Sequence, residues 1–346
     1  MTVMKKTIIL FSVLWLSINL SAQQQKASED SIKLFYNELF SVLKKSYLHR
    51  KSIDWKSVES ETKDQFKSYE NFEKSLAEIR PFFDRINADH CTIFYQNKRF
   101  AGTGKTITKD QFSEQWKSKF DTKPAFEAKM VDEKYAYILM PAMSFMDNSP
   151  EHIHELAQPI YDQIADIKTR YKPEVWILDL RFNTGGNSTP MLLALYDLLG
   201  DNTVWGVMDS SHKITSKIKL DKGQYLDESK KPAFINRKGE LADHAKVAVI
   251  TGPFTASSGE VTALAFKRRA HTIFIGEKSY GATTTNTAYP LPFGATLAIT
   301  IGYDTDRNGN YHAQIIPDIL ISRQDNFDDL LSDGNVLEAL KFFNTP

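Results

Sequence analysis

The segment "TGPFTASSGE", residues 251–260, holds the side chains best suited to covalent chemistry. Apolar "AKVAVI" precedes it and "VTALAFKRR" follows, so a strand gives way to a helix at two adjacent hydroxyls, Ser257 and Ser258. A serine on such a turn is exposed, and the helix N-terminus favours negative charge beside it. The N–H of the following residue can donate to an oxyanion. The same letters also spell a capping box, with Ser257 three residues before Glu260, which needs no chemistry. A nucleophile would require a second oxyanion donor and a base. "LDLRFNTGGNS" can supply the donor, because Gly185 and Gly186 let the backbone approach a substrate closely, although an ordinary glycine turn looks the same.

For the base there are eight histidines: 49, 90, 152, 154, 212, 244, 271 and 312. His90, in "NADHCTIF", stands where a helical pattern becomes a strand pattern, as a packed imidazole or as a base projecting into a cleft. His152 and His154 sit two apart on an expected helix and face different sides, and no zinc-protease spacing occurs. No metal is expected. "DTDRNGNYH" starts like a calcium loop with Asp304, Asp306, Asn308 and Gly309, but its twelfth position is Ile315 instead of glutamate. A polar hairpin tip is the reading that remains.

The elements that must position these groups follow from periodicity. "SIKLFYNELFSVLKKSYL" spaces Ile32, Phe35, Leu39, Leu43 and Tyr47 as one helix face, and "NFEKSLAEIRPFFDRI" does the same, so residues 26–100 form a small helical domain ending in the His90 strand. Residues 101–128 read as a connection. Over 129–323, strands such as "KYAYILMPAM", "EVWILDLRF", "KVAVITG" and "HTIFIGE" alternate with helices over 150–171, 190–199 and 258–270, which predicts a largely parallel sheet covered by helices. "TLAITIGYD" and "YHAQIIPDILI" are expected to pair as a hairpin, and 324–346 to close the chain as a helix.

Composition narrows the function. With 43 basic and 43 acidic residues, nothing points to nucleic acid or an anionic membrane surface. Cys91 is the single cysteine and cannot close an internal disulfide. "MKK", the apolar "TIILFSVLWLSINL" and the small-residue site "LSAQ" predict a signal peptide over 1–22, hence an exported chain, periplasmic or secreted, with no membrane segment after cleavage. No cysteine stands at that junction to carry a lipid.

"WILDLRFNTGG", "VAVITGPFTASSGEVTALAF", "FIGEKSYGATT" and "IIPDI", in that order, resemble the S41 serine peptidases, the tail-specific or C-terminal-processing family related to the tricorn core protease. The resemblance implies a ClpP/crotonase-like spiral α/β catalytic domain, no cofactor, and a peptide or protein substrate. It implies Ser257 as nucleophile, Ser258 as the runner-up, and the N–H groups of Gly186 and Ser258 as the oxyanion hole. One branch carries a lysine base where this chain has Ala282, and no stretch before residue 129 resembles its PDZ domain. The tricorn-like branch uses a histidine, and His90 occupies the matching motif. An acid orients that histidine; Glu277 is the choice here, with Asp89 and Asp304 as alternatives. Two rival readings are a noncatalytic peptide-binding protein on the same fold and, on fold analogy alone, acyl-CoA chemistry.

Overall fold

A computed structural model describes residues 28–228 and 231–344; the expected signal segment lies outside them. The chain forms two compact units. One runs up to Thr106 and takes in Asn286–Ile301; the other comprises Ile107–Thr285 and the chain from Gly302 onward.

In the first unit a helix over residues 28–46 buries Ile32, Phe35, Tyr36, Leu39 and Leu43, the stripe expected from their spacing. They pack with Phe82, Phe83 and Ile93, and with Leu291, Leu297 and Ile299 from the returning segment. Asp54 caps the helix Trp55–Gln65 by accepting the N–H groups of Lys56 and Ser57. Thr92–Tyr95 and Lys98–Ala101 form a hairpin whose two turn residues, Gln96 and Asn97, both have positive φ, as a two-residue hairpin turn demands. Thr92–Phe94 also pairs with Thr296–Ala298.

The second unit is built on a six-stranded sheet in the order Ile319–Leu320, Thr272–Gly276, Lys246–Thr251, Val175–Asp179, Tyr135–Leu139, Glu127–Met130. All neighbours are parallel except the last pair. Successive residues feed opposite cores: Ala136, Ile138, Trp176, Leu178, Val247 and Val249 on one face, Tyr137, Leu139, Ile177, Ala248 and Ile250 on the other. Apolar side chains on both faces are why these strands read as unbroken apolar runs. A second, antiparallel sheet runs through Asn202–Met208, Ile214–Asp221, Gln224–Leu226 and Ala233–Phe234, joined by residues 303–305 of the strand Thr296–Thr305. No helix among the described residues is long and apolar enough to cross a membrane.

Two expected elements differ in detail. The helix after Ser257 ends at Phe266, where Lys267 turns extended. The expected hairpin over 296–321 shrinks to a bridge between Thr305 and Tyr311, while Ile319–Leu320 pairs in parallel with Thr272–Gly276. Asp306 causes the break: its carboxylate accepts the N–H groups of Asn308 and Asn310 and pairs with His312 Nε2 at 2.9 Å, folding the chain into a tight polar tip.

Candidate active site

The strand Lys246–Thr251 delivers the chain to Gly252, whose N–H bonds Thr255 Oγ1; that hydroxyl in turn donates to Leu180 O. Ala256 N–H donates to Asn183 O at 3.0 Å, so the turn leaving one strand is tied backbone to backbone to the turn leaving its neighbour. Ser257 then adopts φ 51° and ψ −117° before the helix Ser258–Phe266 begins. This conformation is strained for any residue with a Cβ, and it leaves Ser257 half-exposed while all nine helix residues are buried.

The glycine turn is shaped around this serine. Gly185 has φ 110°, and a Cβ there would lie 2.9 Å from Ser257 Cβ. At Gly186 a Cβ would fall 2.0 Å from Met143 O, because Met143 pairs with this turn as a one-residue parallel bridge. Gly185 N–H is committed to Asn183 Oδ1 at 3.1 Å. Among the described residues Gly186 N–H has no acceptor, and Ser258 N–H, at the first helical position, has none within the helix. Ser258 Oγ donates to Gly186 O at 2.6 Å, which engages that hydroxyl in fixing the glycine turn.

Glu260 organises the site more extensively than its capping position foretells. Fully buried, it accepts the N–H of Ser257 at 3.0 Å, of Gly281 and Ala282 at 2.7 Å each, and the hydroxyl of Ser279. Burial pushes its carboxyl above the usual range, against the donors that favour its ionised form. Residues 279–282 thereby form a strap beside the Ser257 turn, anchored further by Tyr280 N–H on Thr255 O and by Ser279 N–H on Ile315 O. Periodicity gave no sign of this role, because the donors lie about twenty residues along the chain; the signal available was the run "EKSYGATT".

His90 belongs to the first unit, in the turn between the helix Ile79–Arg85 and the strand Thr92–Tyr95. Asn286 Nδ2 holds its carbonyl at 2.8 Å, and Asn286 Oδ1 accepts from Thr300, which also contacts the Cys91 thiol. Burial lowers the imidazole pKa to about 4; Asp89 opposes this and Arg99 adds to it. At neutral pH the ring is therefore unprotonated and able to accept a proton.

The acid candidates fall in three places. Asp89 is the acidic neighbour of His90. The Glu277 carboxylate accepts from Ser322 Oγ at 2.7 Å and lines a small cavity with Trp116, Arg181, Asp325 and Asn335. Asp304 is buried, accepting from Thr285 Oγ1. His152 and His154 diverge, His152 toward Glu155 and Phe145, His154 onto the Phe234 carbonyl.

The sequence profile of peptidase family S41 matches residues 134–321. Over 146 residues the chain is 36% identical to the nisin-resistance protein of Lactococcus lactis subsp. lactis, a match spanning 41% of this chain and 45% of that one. The chain thus aligns with less than half the length of this curated relative. A solved lipoprotein from Streptococcus agalactiae superposes with a TM-score of 0.64 at 22% identity, covering 91% of this chain and 95% of that one. A candidate peptidase from Parabacteroides merdae ATCC 43184 gives 0.60 at 13% identity, covering 91% and 96%. These likenesses carry the fold.

Proposed function

The chain belongs to peptidase family S41, and on that footing we propose that it hydrolyses peptide bonds through an acyl-enzyme formed on Ser257. The observation that carries this reading is the Ser257 turn itself. A strained, half-exposed hydroxyl stands at a helix tip beside a glycine turn, next to two N–H groups without a described acceptor.

In the proposed cycle His90 takes the proton as Ser257 Oγ bonds the scissile carbonyl carbon, and the N–H groups of Gly186 and Ser258 receive the oxyanion. The C–N bond then breaks, and the departing amine takes the proton from His90. Water, deprotonated by the same imidazole, attacks the ester and restores the serine. Either Asp89 or Glu277 would orient the imidazole. The lowered pKa of His90 keeps the ring unprotonated at neutral pH but makes it a weaker base than an ordinary histidine, and an orienting carboxylate would raise its basicity. The apolar segment following "MKK" motivates placing this activity outside the cytoplasm. A protein named for nisin resistance aligns with this chain, which makes nisin the first substrate to test.

The test compares wild type with Ser257→Ala and His90→Ala, by fluorophosphonate labelling and by mass analysis of digested nisin and a peptide library. Labelling and cleavage should vanish with Ser257→Ala, and His90→Ala should slow cleavage by roughly a thousandfold. Labelling that persists in Ser257→Ala would move the nucleophile elsewhere. A second reading, a noncatalytic peptide-binding protein, is favoured by Glu260 holding the Ser257 N–H in a capping arrangement and by alanine at position 282. Peptide binding without turnover would select it.

A further inference from the structure

The chain from Ser279 to Thr285, which continues the strap, is gripped by two buried carboxyls, Glu260 and Asp304. Glu260 holds the near end through Ser279, Gly281 and Ala282. At the far end Asp304 N–H donates to Thr283 O at 3.0 Å, and the Asp304 carboxyl accepts from Thr285 Oγ1. Asp304 is 2% exposed. The groups that face it are Thr285, Glu260 from the helix that follows Ser257, and Tyr225 from the strand Gln224–Leu226. No lysine or arginine among the described residues pairs with it. Glu260 therefore has four donors to stabilise a negative charge, whereas Asp304 has one hydroxyl and an acidic neighbour.

We propose that Asp304, in its neutral form, is a positioning residue for the Ser257 turn: together with Glu260 it clamps the strap, and its ionisation releases the clamp. Glu260 Oε2 is shared by the N–H groups of Ser257 and Ala282, so a strap that withdraws disturbs the carboxylate that fixes the serine backbone. Two ionised carboxylates in one dry site repel, and admitting water by lifting the strap relieves that repulsion. The adjoining Thr283 Oγ1, buried and without a described partner, gives such water a first contact. Burial raises the Asp304 pKa to about 7, with Glu260 adding and Thr285 opposing, which puts the release in the neutral to mildly alkaline range.

The experiment measures hydrogen-exchange protection of the Gly281 and Ala282 amides between about pH 6 and pH 8.5, corrected for intrinsic exchange, alongside the rate of fluorophosphonate labelling. In wild type, protection should fall by about tenfold per pH unit once Asp304 ionises. Asp304→Asn should hold protection flat. Thr285→Val removes the donor that favours the ionised carboxyl, so its transition should move to higher pH; this variant keeps the test decisive if Asp304→Asn does not fold. The same pH-dependent fall in Asp304→Asn, or an unmoved transition in Thr285→Val, overturns the proposal. The kinetic arm rests on Ser257 being the nucleophile, and there the labelling rate should follow protection. If protection behaves as stated while no variant labels at any pH, the clamp stands and the peptidase reading falls.

Discussion

At the scale of single residues, the Ser257 conformation is the feature most open to test. A non-glycine residue at φ 51°, ψ −117° costs about 1–3 kcal/mol, part of which a glycine recovers. Ser257→Gly should therefore raise stability by about 1 kcal/mol in chemical denaturation while abolishing labelling. Gly185→Ala should instead lower stability and also slow labelling, since its methyl would meet Ser257 Cβ at 2.9 Å at a backbone position of positive φ. His90 carries a pH signature. Its pKa of about 4 lies below the ordinary histidine value, so between about pH 6.5 and pH 4 the unfolded chain binds the extra proton and the native fold loses stability as pH falls. His90→Gln should flatten that slope in thermal melts, and the acid limb of kcat/KM should sit near pH 4. Ser257 and His90 stand out as candidates in the sequence because the motifs that carry the family resemblance are local. The four donors on Glu260 could not, because nothing in the spacing of "SSGE" shows which distant amides will reach it.

At the scale of elements, the strand Val175–Asp179 ends in a charged knot. Arg181, 4% exposed along its side chain, bonds Asp179 through Nε and Nη2, and bonds Asp325 and Asp333 through Nη1 at 2.6 and 2.8 Å. This knot pins the C-terminal segment to the strand end from which the glycine turn departs. Replacing Arg181 with Met would strand three carboxylates around one apolar chain and should destabilise by about 3–5 kcal/mol, read as a lower melting temperature. Strand positions were legible from apolar runs such as "VWILDL" and "KVAVIT", whose residues fill two cores alternately. The end of the 258–266 helix and the shortened hairpin were not, since Asp306 and the extended Lys267 act through contacts that periodicity does not encode.

For the whole molecule, the informative fact is that the first unit is assembled from two separated stretches. Residues 286–301 lie inside the span 129–323 that reads as one catalytic domain, yet Leu291, Leu297 and Ile299 are buried among the N-terminal helices. Sequence order conceals this, because a strand leaving one unit for another keeps the same apolar alternation. A fragment beginning at residue 107 would carry those side chains without their cover, so it should aggregate on size-exclusion chromatography where the chain from residue 28 does not. The helix Ser258–Phe266 has a different consequence. Every one of its residues is packed on all sides, so no local fraying can carry the serine away from its station. Any natural on–off control over this hydroxyl must then act from beside the helix, through the strap held on Glu260 or through what is brought to the serine or withheld from it. A molecule meant to dislodge the anchor itself would have to melt the unit around it.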